Sequence, residues 1–259
     1  MHRGRSALAL AAALVSTTFF ATGCGSDDGA GGRGEVVVSA ATSLKSAFTS
    51  YGEQLADVEA QFSFAGSDEL AAQIRSGVKP DVFASANTKL PDELFREGLV
   101  QRPQVFASNR LVLAVPAEDA KVGALDDLAE PGTTLVVGAE DVPIGSYTRK
   151  VLGRLEPATR RAILANVRSN EPDVGGISAK LTQGAADAGF LYFTDVVAAK
   201  GLLRPIELPA ALQPDVAYGI ALVRGSHNSE AAQEFIDGLL DGAGAAALRE
   251  AGFKPPAGS

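Results

Sequence analysis

Short apolar runs of strand type alternate with amphipathic helical patterns along most of this 259-residue chain. The run EVVVSA precedes a pattern that places Leu44, Phe48 and Leu55 on one helical face. The runs QFSFA and TTLVVGA are likewise followed by DELAAQIRS and SYTRKVL, which have helical spacing. Because strands that alternate with helices pack as layers, the sequence predicts an α/β fold with mainly parallel sheets.

The N-terminus has the composition of a targeting segment. MHRGR is basic, SALALAAALVSTTFFA is apolar but short for a membrane span, and ATGC ends at the single cysteine of the chain, Cys24. This arrangement resembles a bacterial lipobox, so we expect a signal peptide over residues 1–23 and lipidation of Cys24. Ordinary signal cleavage, which would leave Cys24 as a plain thiol, is the alternative.

A Gly-rich polar stretch, residues 24–34, follows and predicts a flexible tether. Its Gly29, Gly31 and Gly34 have the G-x-G-x-x-G spacing, but they precede the first strand, whereas a dinucleotide site follows one. The charge excludes another class of function, because 31 acidic against 23 basic residues provide no basic surface for nucleic acid. Any anion site in so acidic a chain must be local.

Hydrogen-bond donors gather where the predicted strands end. Ser43 and Ser67 follow the first two strands, the turns VPIG around Ile144 and PDVGG around Val174 each open a helix, and Tyr192 ends the run GFLY. In α/β sheets, ligands bind beyond the carboxyl ends of strands, where helix N-termini present free amides. A site built only of donors suits a fully deprotonated oxyanion, since it offers no acceptor for a protonated one.

Each of these donors also has a plainer interpretation. Serine at a helix start is most often an N-cap, so Ser43 and Ser67 could simply cap their helices. Tyr192 could be a packing residue of its strand. The turns VPIG and PDVGG, taken alone, are only turns.

Five segments together resemble the molybdate-binding proteins of bacterial ABC importers, the ModA family. They are SAATSLKSAF, FAGSDELAAQIRSGVKPDVFASAN, VPIGSYTRKVL, NEPDVGGISAKLTQGAADAGFLYFTDVVA and the ending AGFKP, in the order and spacing of that family. The resemblance implies that the ligand is held by the hydroxyls of Ser43, Ser67 and Tyr192 and by the backbone amides of Ile144 and Val174.

The resemblance also implies a periplasmic-binding-protein-like fold of type II, with two α/β lobes joined by a hinge. Lobe one is expected over residues 35–109 and 217–259, and lobe two over residues 110–216. The implied role is an extracytoplasmic, lipid-anchored, monomeric protein that captures molybdate, and also tungstate, for an ABC permease and its ATPase. No cofactor and no catalysis are expected.

This sequence departs from the family pattern at a few positions. Ile144 stands where the family often has Ala, and Asp68 and Glu69 replace small polar residues after the second serine. We expect Asp68 in the first turn of its helix, where a carboxylate suits the dipole. Coordination of the metal by carboxylates, through Asp68, Glu171 or Asp173, is the alternative mode.

Two other functions remain open at this point. The first is binding of another small anion, such as sulfate, phosphate or an organic anion; a phosphate site would be expected to include a carboxylate, Asp68 or Asp173. The second is an anchored hydrolase, which has little support, because Lys45 lies two rather than three residues from Ser43 and the S-x-x-K motif is absent. His227 is the one histidine outside the expected signal peptide, and it falls in a polar loop.

Overall fold

A computed structural model of the chain describes residues 34–56 and 58–256. The expected signal peptide, lipidated Cys24 and the tether up to residue 33 lie outside the described residues. Within the described ranges, no helix is both long enough and apolar enough to cross a membrane. The described residues form one compact unit, which contains two separate five-stranded sheets.

The first sheet has the strand order β2-β1-β3-β10-β4. Strand β1 is parallel to both β2 and β3, whereas β10 is antiparallel to both β3 and β4. The carboxyl ends of β1, β2 and β3 therefore lie at one edge of the sheet. The bounds of the strands are β1 Gly34–Ala41, β2 Val58–Ala65, β3 Val82–Ser85, β4 Gln104–Asn109 and β10 Val216–Leu222.

The second sheet repeats this arrangement with the order β7-β6-β8-β5-β9. Strand β6 is parallel to β7 and β8, and β5 is antiparallel to β8 and β9. Its three parallel strands likewise end at one edge. The bounds are β5 Leu111–Pro116, β6 Leu135–Gly138, β7 Val167–Glu171, β8 Ala188–Tyr192 and β9 Leu203–Glu207.

Helices cover the faces of both sheets, and most of them follow a strand directly. Helices α1, α8 and α9 pack together beside the first sheet, and α4 and α6 pack on the second. The helices are α1 Lys45–Gly52, α2 Ser67–Arg75, α3 Lys89–Arg96, α4 Pro143–Gly153, α5 Pro157–Ala165, α6 Val174–Thr182, α7 Phe193–Ala198, α8 Ser229–Asp241 and α9 Ala243–Glu250. Short 3₁₀ helices span Thr42–Leu44, Asp126–Ala129 and Ala210–Leu212.

The predicted α/β class with two sheets flanked by helices is confirmed, but the sheets are mixed rather than mainly parallel. The difference comes from β10 and β5, each of which is antiparallel to both of its neighbours. The edge strands β4 and β9 pair with them, and the sequence pattern did not predict these two strands. Edge strands need less apolar sequence and tolerate proline, and β9 contains Pro205. The chain passes from the first sheet to the second between β4 and β5, and returns between β9 and β10.

Candidate functional site

All five of the predicted ligand residues line one small cavity between the two sheets. Its volume is about 20 Å³, which exceeds the roughly 10–15 Å³ that one water requires on the same measure. The cavity therefore suits a group of a few atoms rather than a large organic molecule. Its lining comprises Ala41, Thr42, Ser43, Ala65, Gly66, Ser67, Ala86, Val142, Pro143, Ile144, Pro172, Asp173, Val174 and Tyr192.

The two serines come from the parallel half of the first sheet, because β1 and β2 end just before them. Neither serine is the N-cap of its helix, because the caps are Ala41 for the 3₁₀ turn, Leu44 for α1 and Gly66 for α2. Ser67 Oγ instead accepts the N–H of Ala86 at 3.1 Å. Ser43 Oγ lies 3.0 Å from Tyr218 Oη. The N-cap interpretation of both serines is thus wrong for their side chains.

The second sheet contributes two helix N-termini. Ile144 is the second residue of α4, after Pro143, and Val174 is the first residue of α6. Amides at these positions have no acceptor within their own helix, and the helix dipole adds a partial positive charge beside them. The cap of α6 is Asp173, whose Oδ1 accepts the N–H of Gly176 at 3.0 Å rather than that of Val174.

Gly145 allows the turn before α4 to fold tightly against the helix. A Cβ at this position would overlap Ala139 O and also approach Gly138 O. Any larger residue would therefore push the VPIG turn away from β6, which ends at Gly138. The glycine places the amide of Ile144 at the cavity through backbone packing rather than through a side-chain contact.

Tyr192 ends β8, as its sequence predicted, and its side chain is 1% exposed. Its hydroxyl is buried and has no hydrogen-bond partner among the described residues. Burial, with smaller contributions from neighbouring tyrosines and Asp195, raises its pKa well above the ordinary value. The group therefore keeps its proton and remains a donor at the cavity wall.

Asp195 holds the backbone of Tyr192 through a hydrogen bond. The sequence analysis did not identify this residue. The N–H of Tyr192 donates to Asp195 Oδ2 at 3.0 Å. Burial, with a smaller contribution from Asp173, raises the pKa of Asp195 to about 8. Near neutral pH this carboxyl is largely protonated, so it adds little negative charge behind the anion donors. The sequence signal was an acidic residue three positions after a strand end, as in a capping box.

The other carboxylates near the cavity have separate roles. Asp173 lines it, but its two oxygens accept from Gly176 N and, at 2.8 Å, from Thr42 Oγ1. Glu171 pairs with Lys180 at 2.6 Å. Asp68 lies in the first turn of α2 as predicted and is not among the lining residues.

Asp68 nevertheless has an unusual environment. Its Oδ1 is buried and has no hydrogen-bond partner in the described part of the chain. Burial raises its pKa, and the charge of Asp141 adds to this effect. Over the same residues, no group of three or more His, Cys, Asp and Glu side chains is arranged to hold a metal ion.

The two sheets come into direct contact around the cavity. Thr42, next to Ser43, donates to Asp173 at the start of α6. A Cβ built on Gly66 would lie 2.7 Å from Pro172 O, so the backbones approach closely there. Lys45 and His227, the residues considered for catalysis, are exposed and do not line the cavity.

The chain is similar to known bacterial binding proteins. A model of bacterial extracellular solute-binding proteins matches residues 36–254. The molybdate-binding protein ModA of Mycobacterium tuberculosis is 35% identical over 96% of this chain and 99% of its own length. ModA of Escherichia coli is 29% identical over 85% of this chain and 89% of its own length.

A solved structure supports the fold. The periplasmic molybdate-binding protein of Azotobacter vinelandii superposes with a TM-score of 0.77 over 85% of this chain and 99% of that chain, at 21% identity. The relatives are named as binding proteins, and the expectation that the chain is not an enzyme is confirmed. By the family model and by its identity to these relatives, the chain belongs to the bacterial extracellular solute-binding proteins and, within them, to the ModA family.

Proposed function

We propose that this protein captures molybdate outside the cytoplasm and delivers it to an ABC importer. Tungstate, a tetrahedral dianion of similar size, is the second ligand. The proposed ligand atoms are the hydroxyls of Ser43, Ser67 and Tyr192 and the amide N–H groups of Ile144 and Val174. These residues all line the cavity.

The buried hydroxyl of Tyr192, which lacks a partner among the described residues, carries this proposal. A buried polar group without a partner costs about 1–3 kcal/mol, so such groups are rare unless a ligand or water completes them. An oxyanion in the cavity would accept this hydrogen bond. The same anion would accept from two helix N-termini, where negative charge is favoured.

The chemistry of the donors favours an anion that carries no proton of its own. Hydroxyls and amide N–H groups satisfy oxygen acceptors without supplying a full positive charge that would attract any anion. Selection between molybdate and sulfate then depends on the fit of the cavity to the size of the tetrahedron. Lysine and arginine side chains do not line the cavity over the described ranges.

The transport role depends on a hinge and an anchor. We infer lobes over residues 35–109 with 217–259 and over 110–216, because the chain changes sheet near these boundaries. Closure of the lobes around the anion would create the form that a permease with its ATPase recognises. A lipidated Cys24 would hold the monomeric protein at the membrane through the Gly-rich tether.

Phosphate is the second candidate, because Asp173 lines the cavity. A carboxylate can accept the proton that hydrogen phosphate retains near neutral pH. Against this, both oxygens of Asp173 already accept protein hydrogen bonds. Molybdate is therefore the better match, and phosphate is a necessary arm of the test.

A thermal-shift panel on the chain from Gly25 onward tests the ligand. The panel contains molybdate, tungstate, sulfate, phosphate and a blank. A ligand at 1,000 times its Kd adds about 4 kcal/mol of stability, so a clear increase in Tm is expected with molybdate and tungstate. If Tm increases only with sulfate or phosphate, that anion and not molybdate is the ligand. If Tm increases with none of the anions, the proposed site is rejected.

A further inference from the structure

Tyr218 contacts the site without lining the cavity. It lies on β10, its side chain is 0% exposed, and its Oη is 3.0 Å from Ser43 Oγ. The second partner of this hydroxyl is Asn109 Nδ2, at a longer distance of 3.5 Å. Both Tyr218 and Asn109 lie on strands at which the chain passes between the two sheets.

The donors and acceptors in this group allow one assignment of the protons. Asn109 Oδ1 accepts the N–H of Arg110 at 2.9 Å, and Nδ2 donates to Thr194 Oγ1 at 2.9 Å, which fixes the orientation of the amide. An amide nitrogen can only donate. The tyrosine proton then has one acceptor among the described residues, Ser43 Oγ.

The opposite assignment would leave the proton of Tyr218 without an acceptor in a fully buried position. Such a group costs about as much as a lost hydrogen bond. Burial raises the pKa of Tyr218 well above its ordinary value, which keeps the proton on the hydroxyl. When Ser43 accepts from Tyr218, its own O–H is free to point at the cavity.

We propose that Tyr218 is a positioning residue that fixes the hydroxyl of Ser43 as a donor to the bound anion. This inference rests on the proposed function. It also extends it, because a serine that accepts from Tyr218 keeps its own proton for the anion and has one lone pair fewer with which to accept a proton from the ligand. Tyr218 thus contributes to selecting anions that are fully deprotonated.

Packing alone does not account for the hydroxyl of Tyr218. Its ring meets Phe106 and Phe253 edge to face, with centroids 6.2 and 5.2 Å apart. Phenylalanine would make the same ring contacts. The Tyr218→Phe variant therefore removes the hydrogen bond to Ser43 and keeps the packing of the ring in the core.

The test measures molybdate binding by calorimetry on the full-length chain purified in detergent. The variants are Tyr218→Phe, Ser43→Ala and the two combined. Tyr218→Phe should raise the molybdate Kd about three- to tenfold, as loss of one oriented hydrogen bond predicts. In the Ser43→Ala background, Tyr218→Phe should have little further effect, because its action passes through Ser43.

Selectivity supplies a readout that a merely structural role would not change. Inorganic phosphate is titrated in competition with molybdate near neutral pH. In Tyr218→Phe the hydroxyl of Ser43 can turn and accept, so the preference for molybdate over phosphate should fall. Tyr51→Phe is the matched control, because it loses a buried hydroxyl bond to Phe235 O, at 3.1 Å, away from the cavity.

Each outcome separates this inference from the proposed function. If the wild-type chain binds molybdate and Tyr218→Phe binds it equally well, the role of Tyr218 is rejected and the function stands. Additive effects of Tyr218→Phe and Ser43→Ala also reject it. A wild-type chain that binds neither molybdate nor tungstate rejects both proposals.

A second variant keeps the test decisive if Tyr218→Phe does not fold. Asn109→Asp keeps the shape of the side chain but offers Tyr218 an acceptor, which draws its proton away from Ser43. Molybdate affinity should fall, and the loss should be smaller in the Ser43→Ala background. An equal loss in both backgrounds would overturn the proposal, since the added charge alone would then explain it.

Discussion

Thr42 Oγ1 donates a 2.8 Å hydrogen bond to Asp173 Oδ2, and this bond connects the end of β1 with the start of α6. The two residues follow strands of different sheets, β1 and β7, and are 131 positions apart in sequence. Both line the cavity. The contact therefore exists only when the two sheets lie together around the ligand site.

Removing this contact should weaken ligand binding. Thr42→Val keeps the shape of the side chain and deletes the donor, so the closed arrangement loses one bond to a charged acceptor. For such a half-buried bond we expect the molybdate Kd to rise at least about threefold, with a small change in the Tm of the ligand-free protein. Titration calorimetry on Thr42→Val measures the molybdate Kd, and a thermal scan measures the Tm of the ligand-free protein.

Thr182→Val is the control for Thr42→Val. Thr182 Oγ1 bonds within its own helix, to Ser178 O, and is exposed. Its removal should leave the molybdate Kd unchanged. Equal affinities of Thr42→Val and wild type would show that the contact with Asp173 does not contribute to closure.

Tyr192→Phe should change binding and stability in opposite directions. The variant loses a ligand hydrogen bond, so the molybdate Kd should rise by roughly tenfold. The ligand-free protein should be as stable as wild type or more stable, because a buried hydroxyl without a partner among the described residues has been removed. Calorimetry gives the affinity, and urea unfolding gives the free energy of unfolding.

Tyr51→Phe should show the reverse behaviour. Its hydroxyl donates to Phe235 O, so the variant should lose about 1 kcal/mol of stability and keep its affinity for molybdate. If Tyr192→Phe instead lost stability and retained affinity, Tyr192 would be a packing residue.

Ser43→Ala combined with Ser67→Ala should abolish tight molybdate binding. Each serine supplies one donor to a charged acceptor, which contributes about 1.5–3 kcal/mol, so the Kd should rise at least a hundredfold. Loss of the Ser67 acceptor leaves the N–H of Ala86 without its partner. A lower Tm in the ligand-free state is therefore expected, and circular dichroism should confirm that the fold is kept. Unchanged affinity would reject the site.

Asp195 should make stability depend on pH. Its pKa is about 8 in the folded protein and about 3.9 in an unfolded chain. Between these values the folded state holds a proton that the unfolded state has released. The free energy of unfolding should therefore fall as pH rises from about 4 to 8 and level off above that range.

Asp195→Asn isolates this contribution, because it keeps an oxygen for the N–H of Tyr192 and removes the titration. One pKa unit corresponds to about 1.4 kcal/mol, so the loss of stability from pH 5 to pH 8 should be smaller in Asp195→Asn by more than about 1 kcal/mol. Urea unfolding of both proteins at the two pH values measures the difference. Parallel pH profiles would mean that Asp195 is ionised in the folded state.

The sequence was informative about the parts of the fold that depend on local pattern. The strands that lead to Ser43 and Tyr192 have apolar runs, the strand that leads to Ser67 alternates apolar and polar residues, and the turns at Ile144 and Val174 have helix-start signals. These positions could be placed at strand ends because parallel strands finish at one edge of a sheet. Their meeting in one cavity was implied by the family resemblance.

Residues that act through tertiary contacts could not be found in this way. Tyr218 lies in an apolar run that indicates only a strand, and its distance to Ser43 spans 175 positions of sequence. Asp195 changes its protonation because it is buried, and burial is a property of the packed structure. The edge strands β4 and β9 depend on pairing with β10 and β5 rather than on an apolar run of their own.

The backbone at Gly66 sets how near the two halves of the molecule can come. A single methyl group there would press against Pro172 O at 2.7 Å, although φ of Gly66 is −59°, a value that any residue can adopt. The requirement for glycine is therefore one of clearance rather than of conformation. The Cβ of an alanine at this position would hold the two sheets slightly farther apart around the cavity, so the resting protein would be partly open.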